Sequence, residues 1–240
     1  MGFYCIEEIP NGGAMKTFFS FIGKGQVLKD AEGNVYLKAC YDFGEGFKYE
    51  TACFADAVRL SGKYEFDEAL LIGSETSSWS TLLENDENAQ ALWKALNGNE
   101  GKGIPLGGNA ENLRQALENL WGKPIRLCVN VPDLLPENSE KILDKYIGAL
   151  LDSGQDILLD ITHGYRWMPI LLTSVLQIAN AYRNCGSNNI DVIYGELNRN
   201  ADSPVRHLDI LIKGQNISDA VSLFFQRFEA EPLAKLLQAH

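Results

Sequence analysis

The chain has 240 residues, enough for one substantial core and too few for two enzymes in tandem. Hydrophobic residues at 45% and charged residues at 22% describe an ordinary globular protein and argue against disorder. With 21 basic against 32 acidic residues the net charge is −11, which argues against a broad basic surface tracking long DNA or RNA and leaves a small anion in a local pocket open.

Residues Met1 to Ala14 show no periodicity and read as a leader. Asn11-Gly12-Gly13 is what a purine-rich ribosome-binding sequence encodes when translated, so Met15 is the expected start. Glu7 and Glu8 are wrong for a signal peptide. The first strand is expected at Thr17 to Ile22, ending in the glycine turn Gly23-Lys24-Gly25, where the backbone can turn tightly or approach a ligand. Val27 to Phe43 reads as a β-hairpin turning at Glu32-Gly33-Asn34, and Thr51 to Leu60 as a helix stopped by Gly62.

The apolar run Glu68 to Ile72 is the next strand, and it empties into Gly73-Ser74-Glu75-Thr76-Ser77-Ser78-Trp79. Hydroxyls this dense at a strand's carboxyl end can donate to phosphate or ribose oxygens, and Trp79 can offer a stacking face to a base. The plainer reading is a serine-rich loop that caps the following helix. Helices are expected at Leu82 to Leu96 and Asn109 to Trp121, around the glycine-rich spacer Gly98 to Gly108, which lacks the Gly-Lys-Ser/Thr ending of a P-loop. Ile125 to Val131 is a further strand, and Asn138 to Leu151 a helix capped by Ser139 and closed by Gly154.

Asp156 to Pro169 carries the most particular wording in the chain. A short apolar strand, Ile157 to Leu159, breaks at Asp160 to Gly164, and Pro169 suits the first turn of a helix. Backbone N–H groups of Gly164, Tyr165 and Arg166 would then join the side chains of Thr162, His163 and Arg166 in a place for an anion. The plainer alternative is that Asp160 and Thr162 cap the helix and His163 is a satisfied turn histidine. Met168 to Arg183 reads as a helix apolar almost all round, which needs cover from more than one side, most simply a symmetric partner chain. Ile190 to Tyr194 is a strand, and the tail from Val205 a short strand followed by an amphipathic helical segment, Asp219 to Leu237.

The alternation of strands and helices gives a doubly wound α/β domain, with a mainly parallel Rossmann-like sheet and a β-hairpin insertion, over residues 15–200. Residues 201–240 form a short C-terminal extension. All three polar turns, after Ile22, Ile72 and Ile161, fall at carboxyl ends of strands, where such sheets bind ligands, so one shared site is expected.

A catalytic triad is excluded by the missing G-x-S-x-G elbow and by His163 being the only histidine of the domain. Dinucleotide binding fails because Gly23 and Gly25 lack a third glycine and a following acidic residue. The cysteines Cys5, Cys40, Cys53, Cys128 and Cys185 form no C-x-x-C pair and no metal spacing, and read as reduced thiols of a cytoplasmic protein. No stretch is apolar enough to span a membrane.

The wording D-x-T-H-G-Y-R before an apolar helix, with G-[ST]-x-x-S-x-W upstream and a glycine turn after the first strand, resembles the CARF domains. These are the Rossmann-like sensors of cyclic oligoadenylates in type III CRISPR defence. Tyr165 stands where the resembled branch has Phe. The resemblance covers roughly Thr17 to Leu237. It implies a homodimer binding a cyclic oligoadenylate, tetra-adenylate ahead of hexa-adenylate, with no metal or other cofactor. It places Gly23, Lys24, Gly25, Gly73, Ser74, Thr76, Ser77, Ser78 and Trp79 on one wall of the pocket. Thr162, His163, Gly164, Tyr165 and Arg166 form the other, with Asp160 orienting the turn. Two alternatives follow from the same resemblance. One is a metal-independent ring nuclease using Lys24, Ser78, His163 and Arg166. The other is a regulatory subunit whose separate effector docks on Asp219 to Leu237. The Arg-His pair of a HEPN ribonuclease is not found: Arg227 lies too far from His240, and Arg199 and His207 are wrongly spaced.

Overall fold

The computed structural model describes residues 15–25, 27–30, 33–99, 106–130, 136–151, 153, 156–163, 171, 190–198, 201–208 and 234. In chain order they form β1 (Lys16–Ile22), β2 (Val27–Asp30), β3 (Gly33–Tyr36), β4 (Ala39–Asp42), β5 (Lys48–Thr51), α1 (Phe54–Ser61) and β6 (Glu68–Ser74). There follow α2 (Gln90–Asn99), α3 (Ala110–Trp121), β7 (Ile125–Asn130), α4 (Pro136–Leu151), β8 (Asp156–Asp160), β9 (Ile190–Gly195) and β10 (Ser203–His207).

Eight strands make one mixed, mainly parallel sheet in the order β5-β4-β10-β9-β8-β1-β6-β7, while β2 and β3 form a separate antiparallel hairpin. β1 is central. The chain steps outward from it through β6 and β7, then returns to its other side with β8 and β9, all five strands parallel. The reversal between β1 and β8 opens a crevice at their carboxyl ends, the usual ligand position in a Rossmann-like sheet. Beyond β9 the antiparallel β10 joins the β4–β5 hairpin to the sheet.

The apolar run of β1 is buried on both faces because helices cover both. Phe18 and Ile22 point to one side and join Phe54 and Val58 of α1 and Leu113 and Leu117 of α3. Phe19 and Phe21 point to the other and join Ile142 and Tyr146 of α4. This two-sided burial is why the parallel strands read as continuous hydrophobic runs.

Several boundaries differ from the sequence expectations, each for a local reason. In the first hairpin Asp30 pairs with Gly33, so the reversal comes earlier than Glu32-Gly33-Asn34, and Ala39–Asp42 is a separate strand pairing with β5 and β10. Thr51 closes β5, and α1 starts only at Phe54; Gly62 ends it as expected, with φ 59 and its N–H on the Arg59 carbonyl. The helix expected from Leu82 is broken into two 3-10 turns, Trp79–Leu82 and Glu87–Ala89, before α2 begins at Gln90. Asp86 accepts the Asn88 N–H there, at 2.9 Å, and diverts the backbone. α4 starts at Pro136, a residue suited to the first helical position, so Ser139 falls inside the helix and is not its cap. The leader, Gly154, the helix expected at Met168 to Arg183 apart from Leu171, and the segment Asp219 to Leu237 apart from Ala234 lie outside the described residues.

Candidate functional site

β1 and β6 are neighbouring parallel strands with Ile22 opposite Gly73, so the turns that follow them emerge side by side. They are bonded to each other. The Ser78 N–H donates to the Gly23 carbonyl at 2.9 Å, and the Gly25 N–H donates to Ser78 Oγ at 2.9 Å. One residue earlier, Ser77 Oγ donates to the Ile22 carbonyl at 2.6 Å and accepts the Ser74 N–H at 2.9 Å. Ser74 and Ser77 are buried, with oxygens 3.2 Å apart, and Thr76 Oγ1 lies 3.2 Å from Ser74 Oγ. These hydroxyls satisfy one another and the loop backbone; Ser78 is the serine of this loop that reaches the cleft.

Trp79 does not supply the expected stacking face. It is 1% exposed, and its Nε1 donates to the Ser74 carbonyl at 2.9 Å. Gly73 makes this possible, since a Cβ there would sit 2.7 Å from the indole and 3.0 Å from Ser77 Oγ. Gly25 is likewise required by packing, because a Cβ on it would come within 2.5 Å of the Tyr36 ring. The glycines of both turns let aromatic rings fold down over the backbone.

The turn after β8 is held from below. Asp160 is fully buried and accepts the Ser20 hydroxyl at 2.5 Å and the Thr162 N–H at 2.7 Å, the orienting role expected of it. Burial pushes its carboxyl up to about 6, against the opposing pull of those hydrogen bonds. Thr162 Oγ1 accepts the Gly195 N–H at 2.8 Å and ties the turn to the end of β9. His163 Nε2 accepts the N–H of Phe54, the first residue of α1, at 3.1 Å, with the Tyr41 hydroxyl 3.3 Å away. Burial holds the imidazole down at about 4, so the ring is neutral near pH 7. Gly164, Tyr165 and Arg166 lie outside the described residues.

The three turns meet in a cleft of about 240 Å³, counting its open mouth, with room for one water-sized group. Gly23, Lys24, Gly25, Ser78 and His163 line it, so the expected convergence is met for these residues. Lys24 is exposed at the rim, and no carboxylate pairs with it among the described residues. Ser78 uses an oxygen lone pair on Gly25 and keeps its own proton to donate.

Sequence reasoning missed four contributors. Ala52 and Cys53 bring the start of α1 to the cleft wall, Thr81 lies beside them, and Tyr41 stands behind His163. Thr81 could have been found by extending the hydroxyl run past Trp79, since its Oγ1 donates to the Ser78 carbonyl at 2.6 Å. Tyr41 left no such signal, because its relation to His163 spans 122 positions. Cys53 is no nucleophile: burial pushes its thiol up to about 12.

Among the described residues no group of three or more His, Cys, Asp or Glu is placed to hold a metal. None of their helices is long and apolar enough to cross a membrane. No protein-family model matches the chain, and no curated protein matches it closely enough to count as a relative.

Proposed function

We propose that this chain is a CARF-type sensor that binds a cyclic oligoadenylate, the tetra-adenylate ahead of the hexa-adenylate, across a two-fold homodimer. The observation that carries the reading is the meeting of the glycine turn, Ser78 and His163 in one cleft at the topological switch point, with Lys24 at its rim and no carboxylate paired with it among the described residues. The D-x-T-H-G-Y-R wording supplies the ligand class. One protomer's cleft has room for only a water-sized group, so a ring of adenylates would lie over the cleft mouth and repeat the contact on a symmetric partner.

A ring-nuclease reading draws support from Lys24, whose ammonium could meet the charge that develops when a ribose 2′-hydroxyl attacks the neighbouring phosphorus. His163 does not add to that support as a cation, because its ring is neutral and its Nε2 is occupied. The sensor reading therefore ranks first.

The test is to incubate the purified chain with cyclic tetra- and hexa-adenylate, following affinity and ring integrity together, alongside Lys24→Ala. Tight binding of an intact ring, weakened about tenfold or more in the variant, is expected from loss of a charged hydrogen bond. Linear products would favour the nuclease, and binding of neither ring would end the family reading.

A further inference from the structure

His163 sits at the junction of the cleft with α1 and the β4–β5 hairpin, and its hydrogen-bond partners decide what it can do. The Phe54 backbone N–H, 3.1 Å from Nε2, can only donate. Nε2 therefore presents a lone pair, and the Tyr41 hydroxyl at 3.3 Å must also point its proton inward. A neutral imidazole with an accepting Nε2 carries its single proton on Nδ1. Charging the ring would place a second proton against the Phe54 N–H, and burial already holds the imidazole down at about 4. The lone pair a general base would use is spent on the first N–H of α1, a group the helix cannot satisfy by itself.

We infer that His163 is a tautomer-locked hydrogen-bond donor, held with its proton on Nδ1 by the Phe54 N–H and the Tyr41 hydroxyl, and that it recognises an acceptor atom of the ligand. It acts neither as a base nor as a cation. Tyr41 and the start of α1 are its positioning groups. With Ser78 accepting from Gly25 and its own proton left to give, the serine and histidine of the cleft offer donors to the ligand and no base to one another. That chemistry selects phosphate oxygens, ribose oxygens or purine ring nitrogens. It also gives Ser78 no partner among the described residues to make it a nucleophile. The ligand half of this inference rests on the sensor reading; the ring-state half does not.

The experiment uses the full chain labelled with 15N and a long-range proton–nitrogen correlation of the imidazoles at pH 7, His163 being assigned by its loss in His163→Gln. The expected pattern is a neutral ring protonated on Nδ1 and unchanged down to about pH 5.5; a proton on Nε2, or a charged ring, would overturn the inference. Two variants then separate the nitrogens. Glutamine can place an oxygen near the Nε2 position and asparagine an amide N–H near Nδ1. His163→Gln should keep Tm near wild type and lose about tenfold to a hundredfold in affinity for cyclic tetra-adenylate, and His163→Asn should show the reverse. Recovery of both properties in His163→Gln would reduce the ring to a helix plug and overturn the donor role. If the wild type binds no cyclic adenylate, the functional reading fails, while the nitrogen spectrum still upholds or overturns the ring state.

Discussion

Ser78 and Gly25, 53 positions apart in the chain, are joined by a 2.9 Å hydrogen bond from the glycine N–H to the serine hydroxyl. With the reciprocal bond from the Ser78 N–H to Gly23, it locks the glycine turn after β1 to the serine loop after β6. Replacing Ser78 by Ala leaves a part-buried N–H without its acceptor. Ser78→Ala should therefore cost about 1–2 kcal/mol in urea unfolding. Ser78→Thr, which keeps an oxygen, should cost less. An equal loss in both would show that the hydroxyl is not what holds the turn.

Gly73 and Trp79 form the second constraint on this wall. A Cβ at position 73 meets the indole at 2.7 Å, the Ser77 hydroxyl at 3.0 Å and the Ile22 carbonyl at 3.1 Å, the last being backbone that cannot step aside cheaply. Gly73→Ala should cost about 1–3 kcal/mol by overpacking and shift Trp79 emission to the red as the ring is lifted toward water. Unchanged stability and emission in that variant would contradict the packing described above.

Asp160 gives a pH dependence whose sign is defined. Its folded pKa, about 6, lies above the ordinary 3.8, so the native state holds the proton more tightly than the unfolded chain. The corresponding contribution to stability is fully present below about 3.8 and is lost as pH rises through about 6. Measured against Asp160→Asn, wild-type stability should fall by up to about 3 kcal/mol across that window. His163 has the opposite sign: its pKa is lowered from 6.5 to about 4, so its contribution is present above 6.5 and lost as pH falls through about 4. The comparison is therefore made between wild type and variant at each pH, where the histidine cancels. A flat difference between pH 4 and 7 would show that Asp160 is not raised.

The strands of the parallel sheet were legible because burial on both faces demands unbroken apolar runs, and Thr17 to Ile22 and Glu68 to Ile72 emerge within two residues of their expected ends. The three polar turns were legible for a related reason: glycine and hydroxyl residues interrupt those runs where strands leave the core. β5 was not legible. Lys-Tyr-Glu-Thr is a short edge strand that buries only Thr51 and is held by pairing with β4. Nor could α2 be placed correctly from apolar spacing, because Asp86 turns the backbone ahead of it by a local side-chain bond.

Sequence alone determined the α/β class, the two-sided burial of the central strands and the position of polar turns at strand ends, all properties set by neighbours within a few residues. Tertiary structure decided what the turn residues do. Trp79 looks like a stacking platform until Gly73 is seen to admit it to the core, and His163 looks like a cation until the Phe54 N–H, 109 positions away, is found on its Nε2. Local pattern specifies which groups a turn contains. Only the long-range contacts that the sheet order imposes decide which of those groups are spent on the protein itself and which remain for a ligand.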